Sequence, residues 1–141
     1  FGGCKPLMLE DLRECDFGAF EGKNYQELSG DTSYQAWIDS NGTLPFPQGE
    51  SREQFQRRCV EGFCKLLKEV WTRERSLSSF ALVVHGGTIM ALLEAFAEGS
   101  YYDYQCANAK GYKGRLSVEF DVAGNVLRDT IKIADVRKLE E

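Results

Sequence analysis

The sequence predicts an α/β fold, and three segments carry that prediction. A long amphipathic helix is expected to begin near residue 51, an apolar strand that leads directly into a helix is expected over 80–97, and a β-hairpin is expected near the C-terminus. Mixed strands and helices in this order are typical of α/β domains. The 141 residues are enough for one domain around one core, so we expect residues 1–141 to form a single domain.

The first segment is a helix of about 20 residues. Ser51 is its expected N-cap, and Gln54 completes a capping-box pattern. Apolar residues then recur every three or four positions and form one stripe: Phe55, Cys59, Phe63, Leu66, Leu67, Val70 and Trp71. Two short helices are also expected at 24–28 and 33–40, followed by a loop over 41–50 that contains prolines and glycines.

The other two segments contain the expected strands. FALVV (80–84) is a short apolar run, which is typical of a strand buried on both faces. A helical pattern begins right after His85 and two glycines, so its N-terminus is expected at 87–88. Near the C-terminus, residues 115–121 and 126–133 flank the turn sequence VAGN and predict a hairpin.

His85 is the first candidate for chemistry. It lies at the end of the predicted strand and immediately before a helix, and ligands of open α/β sheets bind outside the carboxyl ends of strands. A helix N-terminus offers backbone N–H groups and a partial positive charge to a phosphate, and glycine allows close approach. The pattern therefore favours an anion site, with a structural or solvated histidine as the alternative.

LRECDFGAFEG (12–22) is the second candidate segment. It combines carboxylates, two phenylalanines and two glycines within eleven residues. A charged surface loop with aromatic anchors would have this composition. The functional interpretation is that one carboxylate is held where it can donate a proton.

Composition argues against several other classes of function. The net charge is −5 and the basic residues are scattered, so no nucleic-acid partner is expected. No run of about 18 apolar residues suggests a membrane span. The HGG sequence resembles an esterase oxyanion loop, but the chain contains no G-x-S-x-G, Walker A or G-x-G-x-x-G motif.

Cysteine usage indicates a reducing compartment. The chain contains five cysteines, an odd number without C-x-x-C spacing, and a single histidine. Free thiols in the cytoplasm are expected, and no metal site is predicted from this set. The opening sequence FGGCKP does not suggest a secretory signal either.

Three motifs in order resemble the histidine phosphatase superfamily, the phosphoglycerate mutase-like proteins. They are LRECDFGAFEG, then PQGES (47–51), then VVHGGTI (83–89), and the resemblance covers roughly residues 7–97. The form is similar to the small bacterial branch that includes alpha-ribazole phosphatases and broad-specificity phosphomonoesterases. The resemblance implies a three-layer αβα phosphoglycerate mutase-like fold and a small phosphorylated metabolite as substrate, with no metal and no cofactor.

The resemblance also implies roles for individual residues. Glu14 would protonate the leaving alcohol and later activate water, while His85 would stabilise the transferring phosphoryl group. Gly86 would contribute a backbone N–H to a phosphate oxygen. Further candidates are three residues of the pocket wall and one at its polar edge: Phe17, Phe20, Trp37 and Ser51, respectively.

The chain also departs from the family pattern. The family begins with a strand that ends in an R-H-G segment, whose histidine accepts the phosphoryl group. Here the L-x-E segment already stands at position 12, and His85 is the single histidine. We therefore expect the C-terminal portion of a histidine phosphatase domain, without the first central strand and helix and without activity by itself. A non-catalytic phosphate-binding or interaction module and a phosphoglycerate mutase-type enzyme remain alternatives, and the oligomeric state is left open.

Overall fold

A computed structural model describes residues 6–139. Within this range the chain forms four α-helices and two β-strands: α1 (Tyr25–Leu28), α2 (Thr32–Asp39), α3 (Arg52–Arg73), α4 (Gly86–Phe96), β1 (Tyr112–Phe120) and β2 (Val126–Lys138). Short 3-10 helices lie at Glu10–Leu12, Gly18–Phe20 and Tyr101–Tyr104. These mixed helices and strands confirm the predicted α/β class. The two short helices and the loop over 41–50 are also confirmed.

Helix α3 organises the molecule, and it begins where the capping pattern predicts. The Ser51 hydroxyl accepts a hydrogen bond from the Gln54 N–H at 3.1 Å, and the Gln54 side chain accepts one from the Ser51 N–H at 2.9 Å. This reciprocal pair satisfies backbone donors that a helix terminus otherwise leaves without partners. Phe55 and Cys59 on the apolar stripe are almost completely buried. The predicted long helix is therefore confirmed.

The C-terminal strands form the predicted hairpin. β1 and β2 pair antiparallel, and the Asp121 N–H donates to the Asn125 carbonyl across the turn at 2.9 Å. The hairpin packs on α3 partly through Trp71, whose ring stacks on Phe120 with centroids 4.5 Å apart. In the part of the chain that the structure describes, the sheet consists of these two strands.

The strand predicted over residues 80–84 is not present, and this prediction was wrong. Leu82 and Val84 pack against the core, whereas Val83 is fully exposed and Phe80 is 42% exposed. A strand is defined by a neighbour that accepts and donates its backbone hydrogen bonds. Across residues 6–139 no other strand lies beside this segment. His85 therefore follows an irregular segment that is partly buried on one face.

The core lies between α3, α4 and the segment that precedes residue 16. Its buried members come from all three elements and from β2: Leu12, Cys15, Phe55, Cys59, Phe63, Leu66, Leu67, Ala91, Leu92 and Ile131. Burial of large apolar side chains such as these stabilises a fold by about 1.5–3 kcal/mol each. The packing places residues 12–14, which we call the LRE segment, directly against both helices. No helix in residues 6–139 has the length and apolar character needed to cross a membrane.

Candidate active site

Glu14 and His85 meet at one place on the surface. The Oε2 atom of Glu14 lies 3.8 Å from Nδ1 of His85, and their side chains are 29% and 69% exposed, respectively. A pair at this distance can share a bound group, and the exposed imidazole can reach a ligand from solvent. The structure therefore brings together the two residues to which the sequence analysis assigned the central roles.

The N-terminus of α4 supplies the backbone of this site. His85 is the N-cap, and the helix begins at Gly86, slightly earlier than the predicted start at 87–88. The first hydrogen bond across the turn runs from the Ile89 N–H to the His85 carbonyl at 3.1 Å. The N–H groups of a first helical turn have no acceptor within the helix, and they carry a partial positive charge. This geometry suits a phosphate oxygen beside His85.

Thr88 ties this helix to the LRE segment. Its side chain is completely buried, and its hydroxyl donates to the Leu12 carbonyl at 3.1 Å. A buried hydroxyl needs such a partner, because its transfer out of water is otherwise unfavourable. The bond therefore fixes the start of α4 against the backbone two residues before Glu14.

Gly87 leaves the space that the Glu14 carboxylate occupies. A Cβ atom at this position would stand 2.5 Å from Oε1 of Glu14 and 3.5 Å from the Phe55 ring. The same oxygen accepts a hydrogen bond from the Cys15 N–H at 2.9 Å. The carboxylate is therefore held between its own loop and the first turn of α4. Sequence reasoning missed this role of Gly87, although the glycine pair was a visible signal.

Arg58 and Glu50 form a further part of the site that the sequence analysis missed. Their side chains are 14% and 17% exposed, respectively. They form a bidentate ion pair, in which both hydrogen bonds are 2.7 Å long. The hydrogen bond from Arg58 holds the pKa of the Glu50 carboxyl below its usual value. Glu50 lies in the PQGES motif, but its partner is eight residues away on α3. No periodic pattern marks a pair with this spacing.

A small cavity of about 130 Å³ opens beside His85. His85 and Gly86 line it together with Val84 and Ile89, and the loop over 106–110 lines it too. Ala109 in that loop has a φ of 61°, a left-handed conformation that is uncommon for a residue other than glycine. The cavity gives a small group room next to the exposed imidazole.

The predicted pocket-wall residues lie in a separate aromatic cluster. Phe17 and Phe20 pack edge-on against Phe46 at 5.2 and 5.8 Å, and Trp37 stacks on the same ring at 5.1 Å. None of these rings lines the cavity beside His85. Ser51 caps α3 with its hydroxyl. A substrate-binding role for these four residues stays a prediction.

The buried thiols are not suited to nucleophilic chemistry. Burial raises the pKa of Cys15 to about 12 and that of Cys59 to about 11, so both remain protonated at neutral pH. Cys15, Cys59, Cys64 and Cys106 are all free, while Cys4 lies outside the described residues. Residues 6–139 contain no group of three or more histidine, cysteine or acidic side chains arranged to hold a metal ion.

Comparison with known proteins places this chain in a family. The family model described as "Histidine phosphatase superfamily (branch 1)" matches residues 2–128. The "Putative phosphoserine phosphatase 2" of Hydrogenobacter thermophilus is 29% identical over 93 residues, which are 64% of this chain and 43% of that protein. The match thus spans less than half of that relative's length. No solved structure matches the chain significantly. The family match and the mixed helices and strands confirm the phosphoglycerate mutase-like α/β fold class, and the chain belongs to the histidine phosphatase superfamily.

Proposed function

We propose that this chain carries the acid and the phosphate-stabilising imidazole of a phosphomonoester hydrolase that works through a phosphohistidine. One observation supports this proposal above all others. The Glu14 carboxylate lies 3.8 Å from the His85 ring, at the N-terminus of a helix. An acid for the leaving group, an imidazole and helix N–H groups are among the groups that can promote phosphoryl transfer around the reacting phosphorus.

The proposed reaction has two steps. In the first, an accepting histidine attacks phosphorus, the P–O bond to the leaving group breaks, and Glu14 gives its proton to the alcohol. In the second, Glu14 takes a proton from water as that water attacks phosphorus and the N–P bond breaks. His85 and the Gly86 N–H stabilise the charge on the phosphoryl oxygens in both steps.

The accepting histidine is a separate residue in this scheme. His85 is the single histidine among the 141 residues, and its role beside Glu14 is already assigned. We therefore propose that these residues bind phosphate but do not complete the reaction by themselves. A non-catalytic phosphate-binding module is the second candidate function, and the single histidine is the observation that favours it.

A small phosphomonoester is the proposed substrate class. The cavity beside His85 has a volume of about 130 Å³, which suits a compact ligand. The relative from Hydrogenobacter is named for phosphoserine, and the motifs resemble those of alpha-ribazole phosphatases. Phosphoserine and alpha-ribazole phosphate are thus the first substrates to compare, with 3-phosphoglycerate as a test for mutase activity. We propose a cytoplasmic location, which agrees with the free state of the four cysteines within residues 6–139.

The first experiment uses the 141-residue chain and follows the His85 ring by NMR. One histidine gives one set of imidazole signals. Inorganic phosphate should shift these signals, and Glu14→Gln should change the response, whereas chloride at equal ionic strength should not shift them. Turnover of an aryl phosphate by the 141 residues above a Glu14→Gln control would contradict the proposal that they need a separate accepting histidine.

A second experiment tests catalysis. A chimera that adds a family-type N-terminal segment with R-H-G should hydrolyse an aryl phosphate and form an acid-labile phosphoenzyme. Because general acids typically contribute about 10²–10⁴-fold, Glu14→Gln should lower kcat by that factor. If His85→Ala left the rate of the chimera unchanged, the role assigned to His85 would be wrong.

A further inference from the structure

The Arg58 guanidinium holds the backbone of the loop that presents Glu14. Its Nε and Nη2 atoms donate to the two Glu50 carboxylate oxygens, both at 2.7 Å. Nη1 donates to the carbonyls of Asp11 and Arg13 at 2.9 and 3.2 Å. Nη2 donates once more, to the carbonyl of Glu14 itself at 3.2 Å. A guanidinium has five N–H donors, and each of them is used here.

Glu50 contacts the backbone on the other side of Glu14. Its Oε2 accepts from the Asp16 N–H at 3.0 Å, and its own backbone N–H donates to the Asp16 carbonyl at 2.9 Å. Arg58 and Glu50 together therefore contact the backbone before Glu14, at Glu14 and after it. We call these two residues the loop clamp.

The side-chain position of Glu14 depends on this backbone. Its Oε1 accepts the N–H of Cys15, which lies between two residues that the loop clamp contacts. A shift of this peptide would carry the carboxylate away from His85, from which it is separated by 3.8 Å. The position of the acid is thus set from α3 through the backbone.

The loop clamp does not bind the substrate directly. Every donor of Arg58 already has a protein acceptor, so none remains for a phosphate oxygen. Replacement of a buried ion pair by apolar residues is often neutral for stability. A gain in stability therefore does not explain why an ion pair occupies this position. The planar, forked guanidinium explains it better, because it can orient several backbone carbonyls at once.

We propose that Arg58 and Glu50 are positioning residues that keep the Glu14 carboxylate beside the His85 ring. This inference rests on the proposed function for the role of Glu14, but its structural content does not depend on turnover. Loss of either residue should move the carboxylate away from the imidazole in chains that remain folded. The loop clamp joins residues up to 47 positions apart in the chain.

The test follows the His85 imidazole signals of the 141-residue chain at neutral pH. Glu14→Gln defines the signal expected when the carboxylate charge is lost. Arg58→Ala and Arg58→Lys should each move the signal at least half of the way to that position, because a lysine cannot make the forked contacts. Arg57→Ala is the matched control, since Arg57 lies on the same helix and pairs with Glu53 on an exposed face.

A double variant separates positioning from general loss of stability. In a Glu14→Gln background, Arg58→Lys should produce little further shift, because the charge it would displace is already absent. Near-UV circular dichroism identifies variants that remain folded. If both Arg58 variants unfold, the His85 signal is measured in Glu50→Gln instead, because this substitution keeps the side-chain volume. A folded Arg58→Lys or Glu50→Gln chain with the wild-type His85 signal would overturn the proposal.

Cys15 gives an independent readout of the same loop. Cys15 is 9% exposed, and burial together with the charges of Glu50 and Glu14 raises the pKa of its thiol. Arg58→Lys should raise the rate of Cys15 alkylation, followed by peptide mass spectrometry, by roughly tenfold or more, as the loop opens. Arg57→Ala should leave that rate unchanged. An unaltered rate in folded Arg58→Lys would count against the loop clamp, whatever the outcome of the phosphatase assays.

Discussion

Gly87→Ala should displace the Glu14 carboxylate with little effect on the stability of the fold. The new Cβ would stand 2.5 Å from Oε1 of Glu14, so that oxygen must move by about 0.5–0.9 Å to reach a separation of 3.0–3.4 Å. The atom that must move is the end of a flexible side chain. The backbone of α4 can therefore keep its place while the carboxylate shifts.

Two opposing terms determine the change in stability. Alanine in a helix is more favourable than glycine by about 0.5–1 kcal/mol. Loss of the Cys15 N–H bond to Glu14, which is 2.9 Å long, costs about 0.5–1.5 kcal/mol. The free energy of unfolding should thus change by less than about 1 kcal/mol, a shift in Tm of only a few degrees. In contrast, misplacement of a catalytic group by about 1 Å can cost roughly 10²-fold in rate.

The Cys15 amide signal in a ¹⁵N–¹H spectrum reports on this displacement. Cys15 is distant from residue 87 in the chain, and its N–H donates to the Glu14 oxygen that the new Cβ would displace. Gly86→Ala is the control for stability and for this signal, because its Cβ would meet no atom closer than the Cys106 carbonyl at 3.8 Å. A folded Gly87→Ala chain whose Cys15 amide signal matches the wild type would refute the reasoning.

Three further changes test other contacts. Ser51→Ala should lower the free energy of unfolding by about 1 kcal/mol, whereas Ser51→Asp should preserve it, because Asp also caps helices. Equal thermal stability of the wild type and both variants would contradict the capping role. Phe55→Ala should cost about 3–5 kcal/mol in urea unfolding, since the ring is 1% exposed, and a loss below about 1 kcal/mol would contradict its place in the core. The pKa of Glu50 is lowered from 4.5, so its stabilising effect is complete above that value and is lost as pH falls through the lower folded-state pKa. Urea unfolding across that window should show a steeper loss in the wild type than in Glu50→Gln, and equal slopes would exclude this linkage.

Local patterns predicted the elements that depend on local physics. The Ser51–Gln54 capping box and the apolar stripe behind it correctly predicted a helix that runs over Arg52–Arg73. The alternating segments around VAGN correctly predicted the hairpin of β1 and β2. Capping and amphipathic spacing act over a few residues, and the turn brings two neighbouring segments together, so the sequence contains the necessary information.

The segment over 80–84 shows where such patterns fail. Its apolar residues indicated burial, and Leu82 and Val84 are indeed packed against the core. Strand formation requires a partner that the segment itself does not encode. Hydrophobicity alone could not establish that partner, and Val83 is exposed to solvent.

The sequence by itself predicted which residue types would carry the proposed chemistry. The order of LRECDFGAFEG, PQGES and VVHGGTI selected Glu14 and His85 before any distance was known. Only the tertiary structure decided how these two residues are held together. The two side chains lie 3.8 Å apart, Gly87 leaves the space for the Glu14 carboxylate, and Arg58 contacts the Glu14 loop from more than 40 residues away in the chain. Such contacts form only when distant segments pack together. They cannot be predicted from one segment, because its side-chain periodicity does not encode which residues lie across the core.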